Sequence, residues 1–76
     1  MNIPSINPQL RKVYKENNGE TWDYVFIIRE NDIADVDCYI DEEWDKEETM
    51  KGMSIENARA WWNNLVVNGY ERIMTP

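Results

Sequence analysis

One stretch of this chain commits itself to a single secondary structure, and the rest has to fold around it. From Thr21 to Arg29 the residues alternate with period two. Trp22, Tyr24, Phe26 and Ile28 fall on one face, and Asp23, Val25, Ile27 and Arg29 on the other. A strand with one wide aromatic face and one mixed face belongs in an antiparallel sheet that is covered on its first side only. It also needs strand neighbours, because a lone strand or a bare hairpin is not stable in water.

The neighbour on its N-terminal side reads two ways. Asn7 and Pro8 make a good cap and first helical position, with Leu10, Val13 and Tyr14 as an apolar face and Gly19 as the stop. Alternatively, Leu10 to Glu16 is a strand, and the Asn17, Asn18, Gly19, Glu20 sequence turns it into the next one. The hairpin is favoured because it supplies the aromatic strand with a partner. Residues 1–8, with two prolines and two asparagines, read as an extended leader ahead of a single domain over 9–76. After the aromatic strand, Asn31 and Asp32 make a turn and Asp35 to Glu42 alternates again. Val36, Cys38 and Ile40 are predicted to face the core, and Asp35, Asp37, Tyr39 and Asp41 to face water. Asp41 to Lys51 reads as a polar loop with one large apolar residue, Trp44.

The last strong element is a helix. Ser54 is a suitable N-cap and Glu56 complements the positive end of the helix dipole. Ile55, Ala58, Trp62, Leu65 and Val66 follow the 3-4 spacing of an apolar stripe with Trp61 at its edge, and Gly69 is placed to close the helix. Tyr70 to Met74 is a last short strand or a tail lying on the sheet. These elements predict an α+β, two-layer domain: an antiparallel sheet of two to three strands packed by one C-terminal amphipathic helix. With 76 residues and one cysteine, no disulfide can staple it, so one Phe, four Tyr and four Trp must supply much of the core.

Within Met53 to Arg72, the residues Ala58, Arg59, Trp62 and Leu65, followed by Gly69 and Tyr70, carry a resemblance. The segment resembles the C-terminal helix of small uncharacterised cyanobacterial proteins, which show the same spacing followed by Gly and an aromatic. The resemblance covers about a quarter of the chain. It implies a host and a compartment and no activity.

Charge is as unevenly placed as the aromatics. Glu30 to Glu48 holds ten acidic residues against the single base Lys46, a local net of −9, while each flank carries +1. Such a patch excludes much. Phosphates meet repulsion and no basic stripe offsets it, so direct nucleic-acid binding is disfavoured. There is no histidine, and the one thiol, Cys38, sits on an apolar strand face among acids, which disfavours the thiolate. No P-loop or dinucleotide motif occurs. Asp35, Asp37, Asp41 and Glu42 are spread along a strand without the glycine and ligand spacing of a calcium loop. The expectation is therefore no enzyme, no cofactor and no metal site. No signal peptide or membrane span is read, and a lone cysteine fits the cytoplasm.

The patch itself admits three readings. It solubilises the chain and blocks edge-to-edge aggregation. Or it docks a basic protein surface through Asp35, Asp37, Asp41, Glu42, Glu43, Trp44, Asp45, Glu47 and Glu48, with Trp44 as an aromatic anchor ringed by charge. Or it mimics the phosphate rows of a duplex, as small phage-type inhibitors of nucleic-acid enzymes do. The sequence favours the second, a non-enzymatic binding or regulatory module, unless Trp44 folds back to plug the core.

Overall fold

The computed structural model describes residues 8–73. It contains β1 (Gln9–Tyr14), β2 (Glu20–Arg29), β3 (Ile33–Ile40), β4 (Glu43–Trp44), β5 (Met50–Ser54), α1 (Ile55–Val67) and β6 (Glu71–Ile73). The strands form one antiparallel sheet in the order β4-β3-β2-β1-β6, with β5 also paired to β3. The expected sheet of two to three strands is thus corrected to six. The helix is not the last element either, because β6 follows it and pairs with β1.

Of the additional strands, β4 lies within the predicted polar loop, and β5 begins at the last two residues of that loop and runs on to Ser54, the helix N-cap. The outer edge of β3 is shared: β4 pairs with its end at Tyr39 and Ile40, and β5 with its beginning at Ile33, Ala34 and Val36. Neither strand is long or alternating enough to announce itself. Both exist because β3 presents an edge that would otherwise hold unpaired backbone groups. The first hairpin forms as favoured, turning through Lys15–Asn17 with Asn18 at φ 58° and the Gly19 amide donating to the Tyr14 carbonyl at 3.1 Å. The predicted leader lies outside the described residues except for Pro8, whose carbonyl accepts a hydrogen bond from the Phe26 amide at 2.9 Å.

The helix carries the chain from one side of the sheet to the other. Since every neighbouring pair is antiparallel, β5 and β6 run parallel to each other at opposite sides of β3-β2-β1. Four strand spacings make about 19 Å, and thirteen helical residues span about 20 Å. Its length matches the width it has to cross. Ser54 caps the start, its hydroxyl accepting from the Asn57 amide at 3.2 Å. At the other end the Gly69 amide donates to Val66 and the Tyr70 amide to Leu65, a Schellman closure with Gly69 at φ 96°. Tyr70 and Leu65, the hydrophobic pair of that motif, are both buried.

The core lies between helix and sheet. Leu10, Tyr24, Phe26, Ala34, Val36, Cys38, Ala58, Leu65 and Tyr70 are buried, and Trp22, Ile40, Met53, Ile55, Trp61 and Trp62 pack around them. Phe26 meets the edges of both helix tryptophans, with ring centroids 6.4 Å from Trp61 and 5.1 Å from Trp62, and Tyr24 lies 5.3 Å from Trp61. The inward stripe is therefore 55-58-61-62-65. Trp61 packs inward and Val66, assigned to the stripe, is half exposed.

Phe26→Ala is expected to lose about 3–5 kcal/mol in urea denaturation, as for a large truncation in a packed core. Val67→Ala, at a position 84% exposed, is expected to change stability by less than about 0.5 kcal/mol. Equal effects would place the core on the wrong face of β2.

Candidate functional site

The face of the sheet turned away from the helix is set by the same alternation that builds the core. On it, Glu71, Arg11, Asp23, Tyr39 and Trp44 lie directly opposite one another across β6, β1, β2, β3 and β4, forming one row. Three ion pairs lie on or beside this face. Asp23, 3% exposed, accepts two hydrogen bonds from Arg11 at 2.6 and 2.9 Å. Asp35 receives Arg29 at 3.2 Å and the Gly52 amide at 2.8 Å. Lys51 lies 3.5 Å from Asp37.

These contacts correct the expected exposure of two of the predicted residues. Asp35, expected in water, is buried, and Asp37 is half-buried with one carboxylate oxygen that has no hydrogen-bond partner among the described residues. The alternation put both on the correct side. What it did not show is that Arg29 and Lys51 lie beside them and that β5 covers their flank. The Gly52 amide, and after it Arg29, holds the Asp35 carboxyl below its ordinary range against the opposing effect of burial. Arg11 is held still more firmly protonated, by its hydrogen bonds to Asp23 first and by the charges of Asp23 and Glu42 after that.

The remaining predicted residues gather at one end of the sheet. Asp41 and Glu42 are the two residues between β3 and β4, and both have positive φ, 51° and 69°. Two successive left-handed residues fit the right-handed twist of a two-residue hairpin. Asp41 suits the position: its carboxylate accepts from the Thr21 amide at 2.9 Å while its own amide donates to the Thr21 carbonyl at 2.8 Å. Glu42 has no such compensation among the described residues, and a left-handed residue with a Cβ costs roughly 1–2 kcal/mol.

Beyond β4 the chain bulges away from β3 and returns, and the bulge is an organised turn. The Asp45 amide donates to the Cys38 carbonyl (2.8 Å), and the Cys38 amide donates to the Thr49 hydroxyl (3.0 Å). One Asp45 carboxylate oxygen accepts the Glu47 and Glu48 amides at 2.9 and 3.2 Å. Asp45 therefore builds the loop, with Glu47 and Glu48 exposed on it and Glu42 and Glu43 exposed on the hairpin before it.

Trp44 does not plug the core. It is 52% exposed and pairs with Tyr39 in the row opposite the helix. Beside it is an open recess of about 600 Å³, lined by Ile40, Asp41, Glu43, Trp44, Lys46 and neighbouring acids. Sequence reasoning placed Tyr39 outward but gave it no role. The pairing that sets it between Asp23 and Trp44 depends on two other strands.

Cys38 is buried and unpaired, and burial first, then the charges of Asp45 and Glu48, pushes its thiol up to about 11. Among the described residues, no three His, Cys, Asp or Glu side chains are placed to share a metal ion, and no helix is long and apolar enough to cross a membrane.

Two outcomes follow from these contacts. Because the Asp35 pKa is depressed in the folded state, its contribution is complete above the unfolded value of about 3.9 and is lost as pH falls through the folded value. Asp35→Asn is therefore expected to lower the unfolding midpoint most at neutral pH, with the gap to the parent protein narrowing only as pH falls below that unfolded value. A constant gap would mean that the carboxylate charge is irrelevant. Glu42→Gly is expected to raise stability by about 0.5–1 kcal/mol, the relief at a left-handed position less the greater unfolded entropy of glycine. No gain in thermal unfolding would show that the Glu42 side chain offsets its backbone strain.

No family model matches the chain, and no curated protein or solved structure matches it.

Proposed function

We propose that this protein is a non-enzymatic, cytoplasmic docking module that recognises a basic protein surface through the hairpin and loop at one end of its sheet. The observation that carries this reading is Trp44: a large aromatic side chain half in water, beside an open recess, among carboxylates. Burying such a ring against a partner releases more free energy than burying any other side chain, and charge around it steers the approach. Asp41, Glu42, Glu43, Trp44, Glu47 and Glu48 form the contact, with Asp45 holding the loop in shape. Asp35 and Asp37 support β3 from within.

Ion pairing also weighs against duplex mimicry. A phosphate row needs uncompensated charge along the length of the imitated strand. Here Asp23, Asp35 and Asp37 lie beside Arg11, Arg29 and Lys51, so the uncompensated acid is concentrated at the hairpin end. A purely solubilising face would not call for an exposed tryptophan or for a glutamate in a glycine-like conformation.

The test is affinity capture on the immobilised chain, followed by reconstitution with the purified partner. Trp44→Ala is expected to weaken the complex by about thirtyfold or more, the effect of losing an anchor, with the unfolding midpoint unchanged. Glu43→Lys with Glu47→Lys is expected to slow association and flatten its salt dependence. Displacement of the partner by added duplex DNA would support mimicry instead. A complex indifferent to Trp44→Ala would overturn the proposed anchor.

A further inference from the structure

A second, smaller recess lies on the sheet face behind the hairpin. It measures about 310 Å³ and is lined by Gln9, Asp23, Val25, Tyr39 and Glu42. Val25 and the Tyr39 ring contribute apolar surface, and the Gln9 amide a neutral polar group. The Asp23 carboxylate is already held at both oxygens by Arg11. Glu42 differs. It belongs to the hairpin tip, is exposed, makes no ion pair among the described residues, and comes near enough to the sheet face to act on Arg11. The recess thus has one carboxylate outside any ion pair at its rim and an aromatic ring in its wall, with Trp44 directly across β3-β4 from that ring.

We infer that this recess receives an arginine side chain of the docked protein, its guanidinium paired with Glu42 and laid against Tyr39. The inference deepens the docking reading and rests on it. Arginine suits the site better than lysine for two reasons. Its planar fork meets a carboxylate with two parallel hydrogen bonds, and its weakly hydrated face stacks on an aromatic ring. An ammonium is a strongly hydrated point charge and gains little from the ring. An anion would meet Glu42 and Asp23. A second copy of the chain, with a formal net charge of −7, would be repelled. The sheet edges are poor alternatives for a partner strand. β6 is three residues long, and β4 and β5 are interrupted by the bulge, so a partner is received by the face.

The position of Glu42 also gives its backbone strain a use. A glycine would relax the turn but remove the carboxylate at the rim of the recess. The strained residue and the ligand-binding group are one residue, a combination expected where local stability is exchanged for recognition.

Oligo-arginine and oligo-lysine peptides of equal length serve as probes, titrated at low salt into the labelled full chain and followed by NMR. Shift changes are expected at Gln9, Val25 and Tyr39 as well as at the Trp44 indole, with oligo-arginine bound about three- to tenfold more tightly than oligo-lysine. Glu42→Gln keeps the turn residue's shape and is expected to remove most of that preference. Tyr39→Leu is expected to bring the two peptides within about twofold of each other, with Glu42→Gln as the control should the leucine variant unfold. Equal binding of both peptides, or shifts confined to 43–48 with none at Gln9 or Val25, would overturn the arginine recess and leave docking at Trp44 intact. No binding of either peptide would overturn both.

Discussion

The contact on which this fold depends is the one between β2 and the helix, where Phe26 and Tyr24 meet the rings of Trp61 and Trp62. It decides which side of β2 is dry. Side chains in a sheet alternate strictly, so that choice also settles the opposite side, and pairing transmits it to β1 and β3. Leu10 lies opposite Tyr24, and Val36 and Cys38 lie opposite Phe26 and Tyr24, a register that puts all of them on the helix side. The carboxylates of β3 face away from the helix for the same reason. A slip of one residue would bury Asp35 and Asp37 beneath the tryptophans.

A single helix covers a single face, and the other face needs a different solution. Here it is built from cations of one strand lying beside carboxylates of the next: Arg11 on β1 with Asp23 on β2, Arg29 on β2 with Asp35 on β3, and Lys51 on β5 with Asp37 on β3. Half-buried pairs of this kind add little net stability, because desolvation opposes their attraction. Their effect is on alternatives. Any shifted pairing separates each carboxylate from its cation while leaving it covered by neighbouring side chains, which is far more unfavourable than the paired state is favourable.

The elements legible in the sequence are those whose information is local. The period-two pattern of Trp22 to Ile28, the capping residues Ser54 and Gly69, and the turn through Asn18 and Gly19 are each specified by a few adjacent residues. β4 and β5 were not legible, because Glu43 and Trp44 make no pattern and Met50 to Ser54 contains a glycine. They are strands only because β3 lies beside them. Trp61 was placed at the helix edge although it faces Tyr24, since the stripe follows from where the sheet aromatics lie as well as from the helix's own spacing. In the candidate site, the exposure of Glu42, Glu43, Glu47 and Glu48 follows from their charge alone. The burial of Asp35 does not, because the amide and the guanidinium that compensate it come from Gly52 and Arg29 on other strands.

Internal pairing also explains why the hairpin end stands out electrostatically. Each ion pair joins one acid to one base and leaves the net charge of the chain unchanged. What it removes is local field along the middle of the sheet. Asp41 to Glu48 holds six acids against Lys46, a local net of −5, so this end carries most of the chain's formal −7. Self-repulsion there and the left-handed backbone at Glu42 both act against folding, and both act at the tip, beyond the aromatic core. The layered aromatic contacts of β2 and α1 hold the sheet regardless of what the tip carries. That separation lets so small a domain keep an exposed tryptophan and a strained glutamate at its tip without loosening the core.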